Sequence, residues 1–304
     1  MQIRLWGVRG SIACPGPTTV RYGGNTSCIE LRIKDRVIII DSGTGIRLLG
    51  QEIVQTQLSK GQPISAEIFL THTHLDHITG FPFFQPLYIP QTSITVYGPM
   101  SFEEDPLEKI ISDQLRYRYF PVSHSDLAAN ITYVQLNECE LDLGDHLKLK
   151  TKFLNHPLLC LGYRFEYQNK VFCTVFDTEP YRNIFPRHPN QLGYDPQTAK
   201  EGDHVALKQN TDLLQFIQGA DLLIHDAQYT LSEYIHNKKG WGHSPMDYAI
   251  HNAVSANVKK LILFHHDPMR TDDELDAYER FYQACVEQAY PEIYFAKEGM
   301  IFDL

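Results

Sequence analysis

Thr71-His72-Thr73-His74-Leu75-Asp76-His77 decides the reading of this chain, coming directly after the largely apolar run Ala66-Glu67-Ile68-Phe69-Leu70. Three histidines and an aspartate fall within six positions. An extended backbone alternates sides, so His72 and His74 point the same way. A turn into helix near Leu75 swings Asp76 and His77 towards the same point. Imidazole and carboxylate donors converging in this way suit zinc, manganese or iron. A polar surface loop is the bland alternative, but so dense a His/Asp cluster is a metal-site candidate.

Further candidates lie at strand-like boundaries along the chain. Asp41 ends an apolar run and is followed by Gly43-Thr44-Gly45. His156 stands alone in Asn155-His156-Pro157, Asp177 ends Val175-Phe176-Asp177, and His265 ends Leu263-Phe264-His265 with His266 next to it. This order, HxHxDH and then His, Asp and His, resembles the metallo-β-lactamase fold hydrolases along nearly the whole chain. The resemblance implies a four-layer αβ/βα sandwich with two divalent metals, zinc first and manganese second. It implies that His72, His74 and His156 hold one metal, that Asp76, His77 and His265 hold the other, and that Asp177 bridges. Asp41 is expected to brace the metal loop without being a ligand.

Within that superfamily the chain resembles the phosphodiesterase side, which includes cyclic-nucleotide phosphodiesterases and tRNA 3′-processing endonucleases. The residues that carry this likeness are Gly7-Val8-Arg9-Gly10-Ser11, Gly23-Gly24-Asn25-Thr26-Ser27 and Gly240-Trp241-Gly242-His243-Ser244. Two metals stabilise the attacking and leaving oxygens of a phosphodiester and make hydroxide available at neutral pH. Asp76 is expected to accept a hydrogen bond from the attacking water. His243 is the candidate non-ligand catalytic residue, binding the phosphate or protonating the leaving oxygen. His243, Ser244 and Asn25 are the candidate substrate contacts. Arg9 and Arg21 could touch an anion, and His225 could orient a ligand or be a buried structural residue.

Composition fits a globular enzyme. The 304 residues are 43% hydrophobic and 21% charged, enough for a sizeable core. We read one domain over 1–304, with pseudo-halves meeting near residue 150. No apolar stretch approaches the ~20 residues of a membrane helix. Met1–Trp6 reads as an edge strand and not as a signal peptide, so the cytoplasm is the expectation. The six cysteines are scattered without a Cys-x-x-Cys, as expected of thiols in a reducing compartment. The formal charge of −10 weighs against a large nucleic acid as partner, since such partners usually meet a basic patch. The short segment between His156 and Asp177 reads as a hairpin turning at Gln168-Asn169. It leaves no room for the arm with which tRNA-processing relatives grip tRNA.

Strands are predicted at 2–7, 28–33, 37–41, 67–70, 94–98, 148–154, 160–168, 170–177, 222–226, 260–265, 292–296 and 300–303. Helices are predicted at 45–57, 105–119, 210–218, 244–257 and 272–288. Thr271 and Glu274 form a capping-box pattern, and Ser244 followed by Pro245 reads as N-cap and first helical residue. The aromatic run Gly80–Tyr88 reads as core packing ahead of base stacking. The proline-rich segment Phe185–Tyr194 is a candidate lid.

These readings lead to a two-metal phosphodiesterase opening a small cyclic nucleotide, with homodimerisation expected by resemblance. The alternatives are an RNA 3′-end endonuclease or other ester hydrolase of the same fold and, in a different class, a non-catalytic ligand sensor.

Overall fold

The computed structural model describes residues 1–101, 104–285 and 291–304. In chain order the strands are β1 (Gln2–Gly7), β2 (Cys28–Ile33), β3 (Arg36–Ile40), β4 (Ser65–Phe69), β5 (Ser93–Pro99), β6 (Asn130–Leu136), β7 (Glu140–Asp142), β8 (Lys148–Phe153), β9 (Leu161–Tyr167), β10 (Lys170–Val175), β11 (Leu222–Asp226), β12 (Lys260–Phe264), β13 (Glu292–Phe295) and β14 (Ile301–Asp303). They form two seven-stranded sheets, ordered β14-β1-β2-β3-β4-β5-β6 and β13-β12-β11-β10-β9-β8-β7. The chain passes from the first sheet to the second between Leu136 and Glu140, earlier than residue 150.

Strands covered on both faces read as continuous apolar runs. Ile38 and Ile40 of β3 and Phe69 of β4 face the second sheet and share one core with its Phe165, Phe172, Ile224 and Phe264. Val37 and Ile39 face outward onto α1 (Ile46–Lys60) through Ile46, Leu49 and Ile53. The second sheet's outer face carries Val175, Leu223 and Leu261. These pack against α4 (Pro196–Ile217), α6 (Met246–Ser255) and α7 (Asp272–Cys285). The shorter helices are α2 (Leu75–Ile78), α3 (Leu107–Asp113) and α5 (Leu231–Glu233). Helices thus flank a pair of stacked sheets, the expected αβ/βα sandwich.

Several predicted elements need correction. The helix expected at 210–218 begins at Pro196, capped by Asp195, whose carboxylate accepts from the Thr198 N–H at 2.7 Å. β6 and β7 had no predicted counterpart. Pro245, not Ser244, is the N-cap of α6, since Met246 is the first residue with helical backbone. The capping box at Thr271 and Glu274 forms, with Thr271 N–H donating to Glu274 at 2.8 Å and Glu274 N–H to Thr271 Oγ1 at 3.3 Å. Positions 286–288 of the predicted last helix lie outside the described residues. No helix among the described residues is long and apolar enough to cross a membrane.

Candidate metal centre

β3 to β6 run parallel in the first sheet, as do β10 to β13 in the second. Their carboxyl ends meet at one edge of the sandwich, and parallel sheets place ligands outside such ends. Asp41 follows β3, His72 to His77 follow β4, and His156 follows β8. Asp177 follows β10, Asp226 ends β11, and His265 follows β12. Asp41, Asp177 and His265 have left-handed backbones, with φ of 60°, 35° and 63°. Such conformations cost about 1–3 kcal/mol each in non-glycine residues and cluster at functional sites.

The seven expected ligands come together. His72, His74, His156 and Asp177 form one group of donors, all within 4.8 Å of one another, and Asp76, His77 and His265 form a second. His74 Nδ1 lies 2.9 Å from His72 Nε2 and 3.1 Å from His156 Nε2. Asp177 reaches both groups. Its Oδ2 lies 3.4 Å from His72 and 3.3 Å from His77, and its Oδ1 lies 3.3 Å from His265. His77 Nε2 and Asp177 Oδ1 are buried without a hydrogen-bond partner. Buried polar atoms are normally satisfied. Lone pairs aimed at a common point and left unpaired fit divalent cations. Burial holds His72, His74 and His156 below the ordinary histidine range, as neutral rings that offer a lone pair, and His156 falls to about 4. His77 goes the other way: burial opposes its charging, but Asp177, Asp76 and Asp41 outweigh that, a local excess of carboxylate that a metal ion would offset.

A ring of bracing contacts fixes these donors. Asp41 accepts from Thr71 N–H at 2.8 Å, from the Ser27 hydroxyl at 2.8 Å and from His77 Nδ1 at 2.7 Å. Ser11 N–H donates to Asp76 Oδ2 at 2.6 Å. A Cβ on Gly10 would sit 2.3 Å from the His265 ring, so this loop packs directly on a ligand candidate. His156 Nδ1 donates to Gly242 O at 2.9 Å.

His243 lies at the edge of the cluster, its ring stacked on His265 at 4.8 Å between centroids. Its Nδ1 is 3.1 Å from Asp226 Oδ2 and 4.0 Å from Asp177 Oδ2. Burial disfavours the charged ring, but Asp226 and Asp177 outweigh it and push His243 up to about 9.

Other expected contacts are differently placed. Ser244 is fully buried and donates its hydroxyl to Thr178 O at 2.6 Å, so that hydroxyl is not free for a substrate. The Asn25 amide is held by Glu298 at 3.0 Å, and no contact joins it to the ligand cluster. Arg9 is fully buried and donates to Gly23 O and Arg270 O, so it braces loops and does not meet an anion. Arg21 is engaged with Asp273 and Asp276. His265 faces the cluster, whereas His266 is turned away to Ala296 O at 2.9 Å. Phe81 and Phe84 are core residues. Of the proline-rich segment, Phe185 helps line a cavity of about 540 Å³ beside His156.

Sequence reasoning missed two residues. His225, which the sequence reads either as orienting a ligand or as a buried structural residue, is the second: it is fully buried and its Nε2 contacts Asn252 at 3.2 Å, away from the cluster. Its neighbour Asp226 faces the site instead, as alternation along a strand requires. Glu179 is buried and accepts from the N–H groups of Gly240 and Gly242 at 2.8 and 3.2 Å, fixing the loop that carries His243. Its signal was an acidic residue two positions after a strand-end ligand.

The family model described as the metallo-beta-lactamase superfamily matches residues 21–158. The matched stretch contains the HxHxDH motif and His156. A relative named ribonuclease Z, from Lactococcus lactis subsp. lactis, is 26% identical over 274 residues, covering 79% of this chain and 83% of the relative. Among solved structures, the metallo-beta-lactamase fold protein YhfI from Bacillus subtilis covers 99% of both chains at a TM-score of 0.64 and 16% identity. The short form of human tRNase Z covers 100% of this chain and 99% of its own, at a TM-score of 0.59 and 20% identity.

These relatives overturn the expectation that a large nucleic acid is not a partner. That expectation rested on the net charge of −10, which sums the whole surface. A polyanion responds to the field where it docks, and bound divalent cations are among the largest charges there.

Proposed function

We propose that this metal-dependent hydrolase cleaves a phosphodiester bond in RNA, near a 3′ end. The observation that carries the reading is the Asp226–His243 pair, 3.1 Å apart and set beside the convergent donors, with His243 Nδ1 4.0 Å from Asp177 Oδ2. The similarity to ribonuclease Z over most of both chains supports the substrate class.

The donor set suits zinc first and manganese second. His72, His74 and His156 would hold one ion, Asp76, His77 and His265 the other, with Asp177 shared. When bound, two such ions stabilise the attacking and departing oxygens and supply hydroxide at neutral pH. The protein's own groups do the rest. Asp76 is oriented by Ser11 N–H, and its remaining oxygen accepts a hydrogen bond from the attacking water. Asp226 holds a proton on His243 Nδ1, which leaves Nε2 as the nitrogen that protonates the departing alkoxide.

A second reading, opening of a small cyclic nucleotide, rests on β9 and β10. Their two-residue turn leaves no room between His156 and Asp177 for a protruding arm. The test incubates metal-replete protein with a tRNA precursor carrying a 3′ extension and, separately, with 3′,5′- and 2′,3′-cyclic nucleotides. Asp76→Ala serves as control. Cleavage of the precursor, lost in the variant, supports the RNA reading. Turnover of a cyclic nucleotide alone transfers support to the second.

A further inference from the structure

Trp241 is 58% exposed, although it sits two residues from His243 in a tightly held loop. Glu179 accepts from Gly240 N–H and Gly242 N–H on either side of it, and Trp241 N–H donates to Lys238 O at 3.2 Å. Gly242 O accepts from the ligand candidate His156. The indole is therefore presented to solvent by a loop that is fastened on both sides and tied to the metal centre. More than half of the ring's surface is thus open to a ligand.

Lys238 Nζ lies 3.9 Å from the centroid of Trp241 and 5.3 Å from that of Tyr229. Tyr229 in turn meets the His243 ring edge-on at 6.0 Å. Lys238 makes no ion pair with a carboxylate among the described residues, in a chain with 37 acidic and 27 basic residues. It ends the π-helical turn Tyr234–Lys238, a rare geometry that is frequent at functional sites. An indole face, an unpaired ammonium and a general-acid histidine thus line one side of the centre in series.

We infer that Trp241 and Lys238 bind the nucleotide next to the scissile phosphate, Trp241 stacking on its base and Lys238 meeting its phosphate. This rests on the RNA reading of the site. The chemistry matches because a base offers a π face of any sequence and the next phosphate offers an anion. Stacking on an aromatic side chain contributes about 1–3 kcal/mol per base in single-strand binding. The contact would be tolerant of sequence, since neither group reads a base edge.

The chain contains two tryptophans, and the other, Trp6, is 8% exposed and donates to Glu30 at 2.8 Å. Both rings emit, but a ligand reaches only the exposed one, so a change in emission that Trp241→Phe abolishes reports on Trp241. Metal-loaded protein is titrated with a single-stranded phosphorothioate oligoadenylate, following emission, and with its fluorescein-labelled form, following anisotropy. The expected result is quenching that saturates at the Kd given by anisotropy. Trp241→Ala should weaken binding about tenfold, with Trp241→Phe restoring most of it. Lys238→Met should reduce the slope of log Kd against log salt by about 0.7. Metal content of each variant checks that the loop still holds His156. Binding by anisotropy with unchanged emission, or wild-type affinity in both Trp241→Ala and Lys238→Met, overturns the inference and leaves the RNA reading standing. If no oligonucleotide binds and the tRNA precursor is not cut, the RNA reading fails and the inference falls with it.

Discussion

Asp41 Oδ2 lies 2.7 Å from Nδ1 of His77, and both side chains are fully buried. The carboxylate keeps the proton on Nδ1, so Nε2 is the nitrogen that faces Asp76 and Asp177. A partner on the far nitrogen fixes the tautomer and ring orientation of a metal-binding histidine. Asp41 has φ of 60°, which asparagine tolerates. Asp41→Asn should therefore fold, yet lose about 10–100-fold in metal affinity. Competition with a chelator of known affinity measures this, and unchanged affinity would remove Asp41 from the account.

The Asp226–His243 pair predicts a dependence on the leaving group. His243→Ala should slow cleavage of an RNA phosphodiester by about 10²–10⁴-fold, because the departing alkoxide needs a proton. An aryl phosphodiester with a nitrophenolate leaving group should lose much less. Equal losses on both substrates would show that His243 does not act as the acid.

The same pair predicts a pH profile. His243 is pushed up to about 9, where the charges of Asp226 and Asp177 outweigh the burial that disfavours its proton. An acid works while protonated, so activity is kept below that pKa and lost above it. Asp226→Asn removes the largest of the charges that raise it, which lowers the pKa and moves the alkaline limb of kcat down by about one pH unit or more. An alkaline limb that stays in place would assign the ionisation to another group.

Most of the candidate ligands could be read from the sequence because they follow apolar strands, and the ends of parallel strands converge; His156, after the lysine-rich β8, is the exception. His72 to His77 after Phe69, Asp177 after Val175 and His265 after Phe264 follow that one rule. What escaped is what a pattern cannot orient. His225 and Asp226 are adjacent and both fully buried, so hydropathy does not say which faces the site. The first half of α4 carries only Ala199 and Gly202 as buried residues, which makes no apolar stripe, although Asp195-Pro196 was a usable start signal. β6 is half-exposed along most of its length, which weakened its alternation. Ser244 was read as a cap from residue type, but its hydroxyl bonds Thr178, a partner distant in sequence.

Metal removal should lower stability. The cluster places Asp76, Asp177 and five histidines in contact, and ions that bind only the folded state stabilise it by mass action. Each site at a hundredfold excess over its Kd contributes about 2.7 kcal/mol. Dialysis against a chelator should lower Tm, by roughly 2 °C per kcal/mol lost. Restoring zinc should reverse the shift. A Tm that is unchanged by chelation, with metal loss verified by elemental analysis, would show that the donors do not bind metal strongly.

Gly242 links the catalytic loop to the first group of ligands. Its φ is +82°, and a Cβ there would lie 2.5 Å from His156 Nδ1 and 2.5 Å from Pro157 Cδ. Gly242→Ala thus meets two independent obstacles. The left-handed backbone costs a non-glycine residue about 1–2 kcal/mol. The new methyl also displaces the His156 ring, breaking its 2.9 Å bond to Gly242 O and turning Nε2 from His74. The second metal's residues, Asp76, His77 and His265, lie on other loops and should keep their places. The expected outcome is a folded protein with a modestly lower Tm that retains close to one equivalent of metal and has lost RNA cleavage. Elemental analysis and thermal melting together check this. Two retained equivalents would show that His156 tolerates the methyl and that Gly242 serves only its own turn.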